Sequence, residues 1–200
     1  MIHDNTEAVS ASRVHSRNLV LLRVAGVVGF ALLTAVGANI AIPLPHTPVP
    51  MTLQTLFVLL AGLTLGPRLG LVSMAFYLLL GSVGYHVFAL GSWGLPSLIG
   101  STGGYLLGFV LAQPIIGVLS RPRTGGHSPS YGRLLVAILA GHAVIFACGL
   151  IWLAAWLHIG VTETLLLGLV PFIPGGVIKA VLAFGVGHAV VKRVRPLMNA

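Results

Sequence analysis

The sequence predicts an all-α membrane protein that crosses the bilayer six times, with both termini in the cytoplasm. Three observations carry this. The chain of 200 residues is 56% hydrophobic and only 7% charged, with a mean hydropathy of +1.02, which no water-facing domain of this size carries on its surface. Its apolar runs approach bilayer length and are separated by Pro, Gly or charge. Its Lys and Arg residues fall almost entirely into alternate connections.

Residues 1–18 read as a polar cytoplasmic tail mixing Asp4, Glu7, Arg13 and Arg17. The apolar run that follows is too long for a signal-peptide core and lacks a convincing cleavage site, so it reads as a retained span. Spans are expected at 19–42, 51–66, 69–89, 103–120, 134–158 and 173–192, giving one membrane domain over 19–193 and a second cytoplasmic tail at 194–200. The second span is short and follows Pro43, Pro45, Pro48 and Pro50, where X-Pro steps favour extended backbone, so 43–50 is a loop or re-entrant segment. Two more apolar stretches suit irregular backbone: Leu90 to Thr102, rich in Gly and Ser around Trp93 and Pro96, and Pro171 to Gly176. Such backbone survives at membrane depth only where protein buries it or water reaches it, so these stretches mark cavity walls.

Orientation follows from the basic residues. Arg13, Arg17, Arg23, Arg68, Arg121, Arg123, Arg133, Lys192, Arg193 and Arg195 all fall on one face if the chain crosses six times. The opposite connections, 43–50, 90–102 and 159–172, hold no Lys or Arg. An odd number of spans would spoil this segregation. The chain is therefore expected in the cytoplasmic membrane as a multi-pass protein, with the lipid bilayer as its surroundings.

The remaining basic residue, Lys179, lies inside the last span, and no Asp or Glu lies in any span to neutralise it. An ionisable residue at membrane depth costs roughly 2.5 to 3.5 kcal/mol on insertion scales, which makes it a candidate site residue. A helix beginning near Pro174 puts Lys179 about 7 to 8 Å below its outer end. The competing reading is a long stem snorkelling to the outer headgroups. Against it, the outer connections exclude basic residues and the neighbouring backbone reads as a cavity wall.

Other chemistry is sparse. The net charge of +8 is dispersed between apolar runs and forms no nucleic-acid-binding stripe. A single cysteine, Cys148, allows neither an intrachain disulfide nor a zinc cluster. No phosphate-binding Gly-x-x-x-x-Gly-Lys-Ser/Thr occurs, nor His-Glu-x-x-His, and Gly91-Ser92-Trp93-Gly94 is no nucleophile elbow. His46, His86, His158 and Glu163 are too scattered for a metal site. No catalytic residue, metal or cofactor is expected; what remains is a pocket that binds something and draws energy from elsewhere. Ala31 and Ala35 place small residues one turn apart on the first span, which suits close helix contact, either with this chain's own helices or with a docking partner.

Several long segments resemble one family. Ile42-Pro-Leu-Pro-His-Thr-Pro-Val-Pro-Met-Thr-Leu-Gln-Thr55, Leu65-Gly-Pro-Arg-Leu-Gly70, Gly100-Ser-Thr-Gly-Gly-Tyr-Leu-Leu-Gly-Phe109 and Pro171-Phe-Ile-Pro-Gly-Gly-Val-Ile-Lys179 are similar, in order and register, to the BioY family, the biotin-binding S components of energy-coupling factor (ECF) transporters. The resemblance runs from about Ala31 to Leu182. It implies an S-component bundle with an outward-facing biotin pocket, docked on a transmembrane coupling subunit driven by a pair of ATPases. It also places Ala31 and Ala35 where such proteins carry a docking face.

Biotin combines a ureido ring, with two N–H donors and one carbonyl, with an apolar thiophane ring and a valeryl chain ending in a carboxylate. Such a ligand suits a mostly apolar cavity with a few placed polar groups. Lys179 is the candidate partner of the ureido oxygen or the carboxylate. Gln54 and Tyr105 are candidates for further hydrogen bonds, Phe88 and Trp93 for ring packing, and Gly104 completes the expected site. Gly91, Gly94, Gly103 and Gly104 supply flexible backbone for a lid. One position departs from the family: Gly176 stands where Asp is usual, three residues before Lys179. A carboxylate there accepts a ureido N–H and balances the lysine. Gly does neither, so the sequence predicts weaker biotin binding than in relatives with the Asp, or an acceptor from elsewhere. The other readings of the same chain are an S component for another small vitamin and a membrane-embedded enzyme or scaffold.

Overall fold

The computed structural model describes the backbone of residues 2–121 and 129–199, and the side chains of 17–121 and 129–194. Of the basic residues used for orientation, Arg13, Arg123 and Arg195 lie outside the described side chains. Helix α1 (Ile2–Asn39) contains the first span, and its backbone stays helical back through most of the polar stretch 1–18. Two-residue strands β1 (Ala41–Ile42) and β2 (Met51–Thr52) then pair antiparallel, Ala41 opposite Thr52 and Ile42 opposite Met51. Four prolines between them remove ladder donors, so the ribbon stays short and 43–50 is its loop.

Helix α2 (Gln54–Val83) is continuous in hydrogen bonding but reverses direction at Gly66, whose φ of 79° and ψ of −173° belong to a region that is essentially glycine's own. The reversal is shown by contacts within the element. Gln54 Nε2 donates to the Tyr77 hydroxyl at 2.5 Å, whereas 23 residues of straight helix span about 35 Å. Residues 54–65 and 67–83 are thus two antiparallel arms, and they supply the spans expected at 51–66 and 69–89. The first arm, 12 residues, reaches only about 18 Å, well short of the ~30 Å of hydrocarbon. Because its turn carries Arg68, the shortfall lies at the other end, where the ribbon fills the remaining depth.

After α2, a 3-10 turn (Ala89–Gly91) and the short α3 (Gly94–Ile99) occupy the stretch expected to be irregular. Helices α4 (Gly103–Leu119) and α5 (Tyr131–Leu157) agree with the expected spans to within a few residues. The connection 159–172 was expected as a plain loop but folds α6 (Val161–Gly168) and a 3-10 turn (Val170–Phe172). Helix α7 (Ile173–Asn199) follows at once, so Pro174, Gly175 and Gly176 belong to its first turn rather than to irregular backbone. A proline there gives up an amide that had no intrahelical acceptor.

Six passes result: α1, the two arms of α2, α4, α5 and α7. Both chain ends lie on the side opposite the ribbon, as do Arg68, Arg121 and Arg133. Helix α4 packs against α2 and α5, α1 against α2, and α7 closes on α2 and α5. Lipid is as apolar as leucine, so these contacts rely on close approach at small residues. A Cβ on Gly62 meets Ile116, one on Gly141 meets Ile116 and Leu59, and one on Gly117 meets the backbone of the Gly66–Pro67 turn.

Ala31 and Ala35, expected as a docking face, pack within the bundle. They are 0% and 8% exposed, on the stripe with Thr34 and Ala38 that faces this chain's own α2. Gly37 continues the contact against Phe57 and the start of α2, and Ser73 donates to the Val27 carbonyl at 2.7 Å. The exposed face of α1 is carried by Leu32, Leu33 and Val36.

Candidate ligand-binding site

The missing depth above the first arm of α2 opens into a cavity of about 570 Å³, counting its mouth. Val49, Pro50 and Thr52 of the ribbon wall one side, Gln54 and Thr55 begin α2, and Phe88 and Ala89 come from the connection after it. Thr102, Tyr105, Leu106 and Phe109 of α4, Ile145 and Phe146 of α5, Phe172 and Lys179 complete the wall.

Lys179 is 6% exposed. Its ammonium does not reach for the outer headgroups; it donates to the Thr52 carbonyl at 3.0 Å, joining α7 to the ribbon. Among the described residues the one carboxylate, Glu163, sits in the first turn of α6, away from the cavity lining. The ammonium is therefore held by a neutral acceptor. On the same side of α7, three residues earlier, a Cβ built on Gly176 meets nothing within 4 Å. There is room for a larger side chain at this position.

Gln54, 4% exposed, is held at both ends: its Nε2 donates to the Tyr77 hydroxyl and its Oε1 accepts from Thr52 Oγ1 at 2.9 Å. Tyr77 in turn donates to the Val87 carbonyl at 2.9 Å. Phe88, next in sequence, lies flat over Gly81, where any Cβ would collide with the ring, and meets Tyr77 edge-on at 5.6 Å. Tyr105 gives its ring to the wall, against Gly149 and edge-on to Phe146, while its hydroxyl donates to the Gly168 carbonyl at 2.8 Å.

The structure thus brings together Lys179, Gln54, Tyr105 and Phe88. It does not bring Trp93 or Gly104 to the cavity. Trp93 is 52% exposed beside His86, with ring centroids 5.4 Å apart, the setting of an interfacial aromatic. Gly104 sits where α4 crosses α5, so tightly that a Cβ meets Trp152 and the Cys148 carbonyl. Of the glycines expected to loosen a lid, Gly103 is packed as closely, against Leu98, whereas Gly91 and Gly94 adopt positive φ in the open connection. Sequence reasoning missed Thr52, Phe146 and Phe172. Phe172 stood inside the Pro171–Gly176 segment already read as a cavity wall. Phe146 is one apolar residue among many in its span, and Thr52 contributes a backbone carbonyl, which no side-chain pattern reveals.

Chemically, the site is an aromatic and aliphatic cleft with a buried cationic donor and an ordered amide at one end. It suits an apolar ligand body ending in a compact polar head. The profile of the BioY family matches residues 8–196 of the chain. The chain is 41% identical over 154 residues to the probable biotin transporter BioY of Pyrococcus horikoshii, covering 77% of this chain and 86% of that one. It is 40% identical over 154 residues to the biotin transporter BioY of Thermotoga maritima, with the same coverage, and 36% identical over 165 residues to that of Rhizobium etli, covering 80% and 87%. Among solved structures, the S component for biotin from an ECF-type ABC transporter superposes with a TM-score of 0.82 at 28% identity, covering 90% of this chain and 97% of the other.

Proposed function

The chain belongs to the BioY family, and on that premise we propose that it captures biotin at the outer side of the cytoplasmic membrane and delivers it inward as the substrate-binding subunit of an ECF-type transporter. The observation that carries the reading is Lys179, a buried cation that donates to a neutral backbone carbonyl at the end of an aromatic cleft. A ligand carbonyl exchanges with the Thr52 carbonyl at little expense, because the ammonium never returns to water. Phe88, Phe146 and Phe172 then receive the thiophane ring and valeryl chain.

The chain has no nucleotide-binding loop, so the energy for the inward step comes from other subunits: a transmembrane coupling protein and a pair of ATPases. The role proposed is binding and transport rather than turnover. Retention of labelled biotin by the detergent-purified chain, without nucleotide, tests the proposal. Saturable retention displaced by unlabelled biotin, with the vitamin recovered unchanged, is the expected result. Absence of saturable retention would sink it.

A further inference from the structure

We infer that Tyr77, which does not line the cavity, is a specificity-determining positioning residue: it fixes the Gln54 amide so that the site presents an acceptor beside the Lys179 donor, matched to the O=C–N–H edge of a cyclic urea. This rests on the biotin reading above and deepens it.

The argument is one of proton order. The Val87 carbonyl can only accept, so at 2.9 Å the Tyr77 hydroxyl must spend its single proton there. The phenol oxygen is left as an acceptor, and the Gln54 group facing it must be the NH₂ end. The other end is compatible with this. The Gln54 backbone N–H donates to one lone pair of Thr52 Oγ1 at 3.3 Å, and the threonine keeps its proton for the Gln54 Oε1 at 2.9 Å, although a hydroxyl with a second lone pair could serve either end of the amide. The orientation is therefore set by Tyr77, whose proton is committed to Val87, and Thr52 accommodates it. An isolated glutamine could turn either face to the cavity; this one cannot.

The orientation has a direction in space. The Nε2 end is bound to Tyr77, which is 0% exposed and away from the cavity wall. The Oε1 end is bound to Thr52, which is part of the wall and whose own carbonyl holds Lys179. Oε1 keeps a second lone pair, and Thr52 is the shared partner of that oxygen, through its hydroxyl, and of the Lys179 ammonium, through its carbonyl. Donor and acceptor side by side complement a ligand edge carrying acceptor and donor side by side, as a ureido ring does. This provides an acceptor for a ureido N–H in a chain where Gly176 provides none.

The test compares biotin with its two cyclic carbamate analogues, in which one or the other ureido N–H is replaced by oxygen, on the wild-type protein and on Tyr77→Phe. The phenylalanine keeps the ring against Phe88 and removes only the hydroxyl, so the amide is freed to turn. Wild type is expected to prefer biotin over at least one carbamate by on the order of 100-fold, since that analogue sets acceptor against acceptor. In Tyr77→Phe, biotin affinity should fall about tenfold while the carbamate is unchanged or bound more tightly, collapsing the preference. Equal weakening of both ligands would mean a merely structural role and would overturn the inference, as would a wild type that does not discriminate. Failure of wild type to bind biotin at all would instead remove the functional reading beneath it. If Tyr77→Phe does not fold, Gln54→Met carries the test: the same collapse supports an ordered acceptor, and preserved discrimination rejects it.

Discussion

The Lys179 ammonium and the Thr52 carbonyl, 127 residues apart in sequence, meet at 3.0 Å inside the cavity. This bond ties the last transmembrane helix to the ribbon that follows the first, and it holds a cation in a place with one neutral acceptor. A buried cation with a neutral partner is weakly compensated, so an additional acceptor at this position is stabilising.

Replacing Lys179 by Met keeps most of the stem volume and removes the charge. A charge-assisted hydrogen bond contributes about 1.5–3 kcal/mol, so biotin affinity by isothermal titration should fall on the order of 100-fold. The melting temperature of the empty protein should hold or rise, because a weakly compensated charge leaves the interior. Unchanged affinity would show that the ligand does not meet Lys179.

Gly176→Asp places a carboxylate into open space in the first turn of α7, one turn before Lys179. A helix start favours negative charge by about 0.3–1 kcal/mol, and the carboxylate can take a ureido N–H while balancing the lysine. Tighter biotin binding, roughly tenfold, and a higher melting temperature are expected. Equal or weaker affinity in titration would mean that the native site is already complete without it.

Phe88 and Trp93 provide an internal contrast, five residues apart on the same connection. Phe88→Ala removes a 1%-exposed wall residue that is also packed on Gly81 and Tyr77, so affinity should drop more than about tenfold. Trp93→Ala removes a half-exposed ring outside the cavity and should change affinity by less than about threefold. The reverse order in a binding assay would place the outer connection over the ligand.

Ala31→Leu adds volume to a fully buried stripe between α1 and α2. Overpacking of this kind costs about 1–3 kcal/mol, and the loss should appear as a lower melting temperature of the isolated chain in detergent. If the isolated chain kept its stability and only assembly with partner subunits failed, Ala31 would be a docking residue after all.

The number of passes, the segregation of the described basic residues and the placement of Lys179 toward the side away from them were legible in the sequence, because each depends on local hydropathy, proline chemistry or charge counting. So was the cavity's general position, since the proline- and glycine-rich outer segments cannot sit in lipid without protein or water around them. The spans over 103–120 and 134–158 needed only their apolar length.

Periodicity could not say which neighbour a small or aromatic side chain would meet. In a membrane helix both the lipid face and the packed face are apolar, so the stripe of Ala31 and Ala35, the exposure of Trp93 and the inward turn of Phe146 carry no distinguishing pattern. The fold-back at Gly66 brings Gln54 to Tyr77 across 23 residues, and the return of α7 brings Lys179 to Thr52 across 127. What the sequence determined by itself was therefore the bilayer topology and the presence of a buried charge, both properties of short segments. The partner of that charge, the orientation of the amide beside it and the identity of the wall were decided only by tertiary structure, because each is a contact between segments whose meeting no local pattern encodes.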